Sequence, residues 1–110
     1  MIEIELPLRL VSVANVRECW QQKAARTKAH RRAAIAVPKH AVPCVVTITR
    51  IGPRMLDGDN LQSACKGLRD GIADRLGVDD RDPAVEWRYT QEIAKPKRYA
   101  VRVRIESEAA

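Results

Sequence analysis

Residues 44–80, CVVTITRIGPRMLDGDNLQSACKGLRDGIADRLGVDD, place a strand, a break and a helix in immediate succession. Cys44 to Ile51 is rich in β-branched residues, the composition of a central strand. Gly52-Pro53 breaks it. From Asn60 to Leu76 the apolar positions Leu61, Ala64, Cys65, Leu68, Ile72 and Leu76 recur at helical spacing, which predicts a helix with one buried stripe. Gly77 is its expected stop. Working outward, Ile2 to Leu10 reads as a first strand, with Ile2, Ile4 and Leu6 on one face and Glu3 and Glu5 on the other. Asn15 can cap a basic helix to about Ala36, its apolar side formed by Val16, Trp20, Ala24 and Thr27. Val85 to Gln91 and Tyr99 to Glu106 alternate as strands about a turn at Ala94 to Lys97. The order β-α-β-α-β-β predicts a single α+β domain over residues 1–110, a mixed β-sheet with two helices packed on it.

Composition narrows the function classes. The 110 residues carry 20 Lys and Arg against 14 Asp and Glu, a net charge of +6 that favours polyanionic partners. Between Asn15 and His40 stand Arg17, Lys23, Arg26, Lys28, Arg31, Arg32 and Lys39 against the single acid Glu18. Such a basic helix suits backbone phosphates, which supply affinity with little sequence information. Phe is absent and aromatic residues are only 4%, so binding of single strands on a stacking platform is poorly supported. Cys19, Cys44 and Cys65 form no CxxC pair, and His30 and His40 complete no zinc pattern; buried reduced thiols in a cytoplasmic protein are expected. No apolar run approaches the length of a membrane span, and the N-terminus does not read as a signal peptide.

Against this basic background, five aspartates crowd into two clusters: Asp57 and Asp59 about Gly58, and Asp79, Asp80 and Asp82 after the second helix. A protein that binds polyanions gains from crowded carboxylates when they do what positive charge cannot, such as hold a divalent metal. There is a plainer use. Asp59 can cap the helix, with Gln62 closing a capping box, and the later aspartates can be solvated loop residues. An EF-hand fails on Leu61, Gln62 and Leu68, which stand where oxygen ligands and the obligatory glycine belong. A straight helix of that length would hold the two clusters at opposite ends, unless the chain doubled back or a dimer joined them.

The run Leu56-Asp57-Gly58-Asp59-Asn60-Leu61-Gln62, a helix, and then Asp79-Asp80 before a strand resembles the RusA-type Holliday junction resolvase family, whose pattern is D-x-D-N-L, a helix, and D-D. The resemblance covers roughly residues 50 to 106. It implies a homodimer that resolves four-way junction DNA in recombination and repair, with a Mg²⁺ site (Mn²⁺ as the alternative ion) built from Asp57, Asp59 and Asp80. The family's lysine four residues after the second aspartate is Ser63 here, and Lys66 is the nearest replacement. Lys66 then belongs to the expected catalytic set, unless it pairs with Asp70 at i+4. Loss of that lysine leaves a second expectation, a DNA-binding protein with weakened or no catalysis, and a third, a basic nucleic-acid-binding module with a fortuitous aspartate pattern. Arg102 and Arg104, on one face of the last strand, would extend the phosphate track.

Overall fold

The computed structural model describes residues 1–10, 20–94 and 97–107, and for Trp20 the backbone alone. Its elements are β1 (Ile2–Leu6), α1 (Trp20–Ala33) with a short 3₁₀ turn at Ala34–Ala36, β2 (Cys44–Gly52), α2 (Gly58–Leu76), β3 (Val85–Ile93) and β4 (Ala100–Ser107). The four strands form one mixed sheet in the order β1-β4-β2-β3. β2 pairs parallel with β3 and antiparallel with β4, and β1 pairs antiparallel with β4. α2 is the crossover that the parallel pair requires.

The register explains the core. Ile2, Ile105, Val46 and Trp87 stand in one row across the sheet, and Ile4, Val103, Ile48 and Tyr89 in the next. Side chains alternate across a strand, so these rows share one face. α2 covers that face with Leu61, Ala64, Cys65, Leu68 and Ile72, all buried. The stripe expected from helical spacing is thus the stripe that packs, except that Leu76 is only half-buried. Gly77 ends α2 in the left-handed region, φ 72°, where L side chains are strained.

α1 behaves differently. Ala24 and Thr27, expected on its buried side, are exposed, and His30 is the one buried side chain described within it. Val16 lies outside the described residues. The contact of α1 is with α2, at two glycines. A Cβ at Gly67 would lie 2.9 Å from the Thr27 carbonyl oxygen, and one at Gly71 would lie 2.5 Å from that of Arg31. Both are below any normal contact, so the helices meet backbone to backbone. Ala34 and Val37, just past α1, then enter the core.

The other sheet face carries charge. Arg102 bonds Glu92 at 2.7 Å and lies 3.7 Å from Glu3, and Arg98 reaches Glu5 at 3.1 Å. Arg102 is therefore engaged by two carboxylates rather than free for a phosphate track, and Arg104 rests against Met1. β1 ends at Leu6, short of the expected Leu10. Cys44 and Cys65 are buried and form no disulfide among the described residues, and burial pushes Cys65 up to about 12; Cys19 lies outside the described residues. Among the described residues no helix is long and apolar enough to cross a membrane.

Candidate functional site

Asp57 and Asp59 stand at the start of α2, beyond the carboxyl ends of the parallel strands β2 and β3. In open α/β sheets this end of parallel strands is where ligands gather. The approach to it is fixed by two core-face side chains. Arg50, 5% exposed, donates to the Leu10 carbonyl at 2.9 Å and to the Arg54 carbonyl. Its burial lowers its pKa. Gln91 accepts from the Leu56 N–H at 2.8 Å and donates to the Leu56 carbonyl at 2.9 Å. The backbone immediately before Asp57 is thereby clamped to β3.

α2 begins two residues earlier than a capping box at Asp59 requires. Asp57 is the N-cap, with extended backbone (φ −62°, ψ 155°), and its side chain makes no cap bond. Asp59 falls in the first turn, where its charge suits the helix dipole. Both are exposed, and among the described residues neither side chain has a hydrogen-bond or ion-pair partner. The capping use anticipated for Asp59 is therefore not realised, and two carboxylates two residues apart are left uncommitted.

The other acidic cluster is committed. Asp79 accepts from the Arg81 N–H at 2.9 Å, and that bond, followed by one with Asp80, holds its carboxyl below the usual range. Asp82 accepts from the Ala84 N–H at 2.9 Å. Asp80 is held by Arg69, which donates to its carbonyl at 2.7 Å and lies 3.9 Å from its carboxylate. The same guanidinium donates to the Tyr89 hydroxyl at 2.8 Å and sits 4.7 Å from the centroid of Trp87. Asp70, Asp74, Asp79 and Asp80 line one small cleft with Arg31, and Arg31 bonds Asp74 at 2.7 Å.

Within one chain, the clusters do not meet. α2 has 19 residues, and the loop after it turns back only as far as Arg69 and Asp70, about 15 Å of helix beyond Asp59. Among the described residues no three His, Cys, Asp or Glu side chains are grouped to hold a metal ion. The structure thus brings together Asp57 and Asp59 and keeps Asp80 apart.

The basic residues sort themselves similarly. Lys23, Arg26, Thr27 and His30 of α1 face Ser63, Ala64, Lys66 and Gly67 of α2 across a cleft of about 240 Å³. Lys66 makes no ion pair with Asp70 or with any other described residue; it turns toward α1. His30 is kept largely neutral at pH 7, first by burial and then by Arg26. Lys28 and Arg31 line a neighbouring groove with Ile35, and Arg32 borders it. Arg31 is engaged by Asp74, and Arg17 lies outside the described residues.

Arg69 is the residue that reading the sequence missed. On α2 it looks like an ordinary solvated cation flanking the apolar stripe. Only the pairing of β2 with β3 puts Trp87 and Tyr89 beneath it. No family model matches the chain, and no curated protein matches it.

Proposed function

We propose that the chain is a RusA-like, metal-dependent endodeoxyribonuclease that works as a homodimer on four-way junction DNA in recombination and repair. The observation that supports this reading most is the uncommitted carboxylate pair Asp57 and Asp59, presented at one end of a parallel strand pair on a chain of net charge +6. Two exposed carboxylates with hard oxygen donors fit Mg²⁺ or Mn²⁺, since Mg²⁺ commonly binds through one or two carboxylates with substrate phosphates and waters. Asp57 and Asp59 would hold the ion. When bound, it supplies an activated water and offsets charge on the phosphate oxygens.

Asp80 joins such a site only from a second copy. Within one chain it is held at Arg69, about 15 Å of helix beyond Asp59. A two-fold dimer that sets the start of α2 in one copy against the Asp80 loop of the other would complete two equivalent sites. The chain's own residues then have distinct tasks. Arg69 holds the Asp80 loop in place. Gln91 and Arg50 fix the backbone before Asp57. Lys66, two turns along α2 from Asp59, meets phosphate and steadies developing negative charge. Lys23, Arg26, Lys28, Arg31 and Arg32 supply backbone affinity, with Arg17 as a further contributor. The reading places the protein in the cytoplasm.

A second reading rests on Ser63 and on the separation of Asp80: a DNA-binding protein of the same kind without catalysis. Incubation of the full chain with four-way junction DNA and Mg²⁺ distinguishes them. The expected outcome is paired nicks at the junction, reduced more than about 100-fold in Asp59→Asn, given that even outer-shell partners of metal ligands cost 10–100-fold. Junction binding without nicks would select the second reading. Equal affinity for junction and linear duplex would leave a basic nucleic-acid-binding module.

A further inference from the structure

The two edges of the sheet are built differently. β1, at one edge, has 5 residues and is followed by Pro7, and short strands and proline are devices that keep an edge from pairing. β3, at the other edge, has 9 residues without proline or lysine, and among the described residues no strand pairs with its outer side. The even-numbered positions about β3 bond β2. The Cys44 N–H donates to the Ala84 carbonyl at 2.9 Å, and the Ala94 N–H donates to the Gly52 carbonyl at 2.9 Å. Alternate residues of a strand serve alternate neighbours, so Trp87, Tyr89, Gln91 and Ile93 turn their N–H and C=O groups to the open edge. These same four residues carry their side chains on the face covered by α2.

An open edge of this length is a template for another strand, and a second copy of β3 fits it. A two-fold axis perpendicular to the sheet runs the two strands antiparallel and keeps both α2 helices on one side, so the register is centred on one residue. Charge selects that residue. Centring on Tyr89 sets Glu86 against the partner's Glu92, and centring on Arg88 sets two guanidinium groups together; like charges directly opposite are destabilising. Centring on Thr90 sets Arg88 against the partner's Glu92, twice by symmetry. Arg88 bonds Glu86 and Glu92 bonds Arg102 within the chain, and the cross-copy pairs join these exposed groups into one ladder. The same register places Ile93, 48% exposed, against the partner's Trp87. Backbone polarity agrees with it: Thr90 faces β2 and forms a non-hydrogen-bonded pair with its copy, while Tyr89 and the partner's Gln91 exchange edge bonds.

We propose that β3 is the dimer interface, pairing antiparallel with β3 of a second copy about Thr90, and that this pairing delivers the partner's Asp80 to the Asp57 and Asp59 site. The role of that site as a metal centre rests on the functional reading above; the interface rests on the edge and its register. Gln91 clamps the Leu56 backbone immediately before Asp57, and Tyr89 bonds Arg69, which holds Asp80. In this register Gln91 stands opposite the partner's Tyr89, about 5.5 Å between Cα atoms. The two clamps therefore become neighbours across the axis, and the start of α2 in one copy meets the Asp80 loop of the other at two equivalent places.

The test is Thr90→Cys in the full chain, with Arg88→Cys and the unaltered chain as controls and circular dichroism as the check on folding. On mild oxidation Thr90→Cys is expected to give a disulfide-linked dimer, since its Cα lies about 4.5 Å from its copy. Arg88→Cys is expected to give none, because its copies are about 14 Å apart, beyond the reach of a disulfide. Independently of any cross-link, Arg88→Glu is expected to weaken dimerisation about 10-fold in sedimentation equilibrium, and adding Glu92→Arg to restore it. A dimer that links equally at both positions or at neither, or a folded Arg88→Glu that dimerises like the unaltered chain, would overturn this interface and leave the functional reading standing. A chain that stays monomeric would overturn the interface as well. A dimer linked through Thr90→Cys that leaves four-way junction DNA uncut in Mg²⁺ would support the interface and count against the nuclease reading.

Discussion

The two ends of α2 carry the same residue type in opposite conditions. At its start, Asp57 and Asp59 are exposed and have no side-chain partners among the described residues. In its last turn and past its end, Asp74, Asp79, Asp80 and Asp82 are each engaged, by Arg31, by the Arg81 N–H, by Arg69 and by the Ala84 N–H. One end builds the domain; the other has carboxylates to spare. An aspartate's neighbours, more than its place in a motif, decide whether it is free to serve a ligand.

Stability measurements sharpen this contrast. Arg69→Ala removes charge-assisted bonds to the Asp80 carbonyl and the Tyr89 hydroxyl together with the stack on Trp87, and is expected to cost about 2–3 kcal/mol in urea unfolding. Asp57→Ala gives up no cap bond and is expected to cost under about 1 kcal/mol, the loss of a favourable helix-end charge. Equal losses at the two positions would break the distinction between a structural end and a free one.

A smaller effect is expected where α1 meets α2. Gly71→Ala gains about 1 kcal/mol of helix propensity but forces a methyl group against the Arg31 carbonyl and the Ala34 side chain. Overpacking of this kind costs about 1–3 kcal/mol, so a net loss of about 1–2 kcal/mol is expected, read from the same urea curves. A stabilised variant would show that the helices part easily and that the cleft beside Gly67 is not fixed.

The sheet and α2 were legible because their signals are local and strong. The β-branched run from Cys44 and the stripe from Leu61 to Ile72 each match one period, and both pack as that period requires. α1 was harder to read. Its basic, alanine-rich surface has no strong apolar stripe, and its position is set by glycines on a different helix. α2 starts two residues before the expected Asn60 because Asp57 and Asp59 are equally good caps by type, and the clamp of Gln91 on Leu56 is made only after β3 has paired with β2. The Arg69 clamp was invisible for the same reason. Of the proposed site, the carboxylate pair and its separation from Asp80 by a helix were legible from spacing, while the contacts that hold Asp80 at Arg69 needed the folded sheet.

The central claim is that Asp57 and Asp59 of one copy act with Asp80 of the other. Mixing two inactive variants, Asp59→Asn and Asp80→Asn, after each is unfolded and refolded together, tests it directly. In a site shared between copies, the mixed dimer has one site with both lesions and one site with none, so Mg²⁺-dependent nicking of a four-way junction returns on one strand. If the mixture stays inactive while both variants fold and dimerise, the carboxylates do not act across the dimer and the account is contradicted.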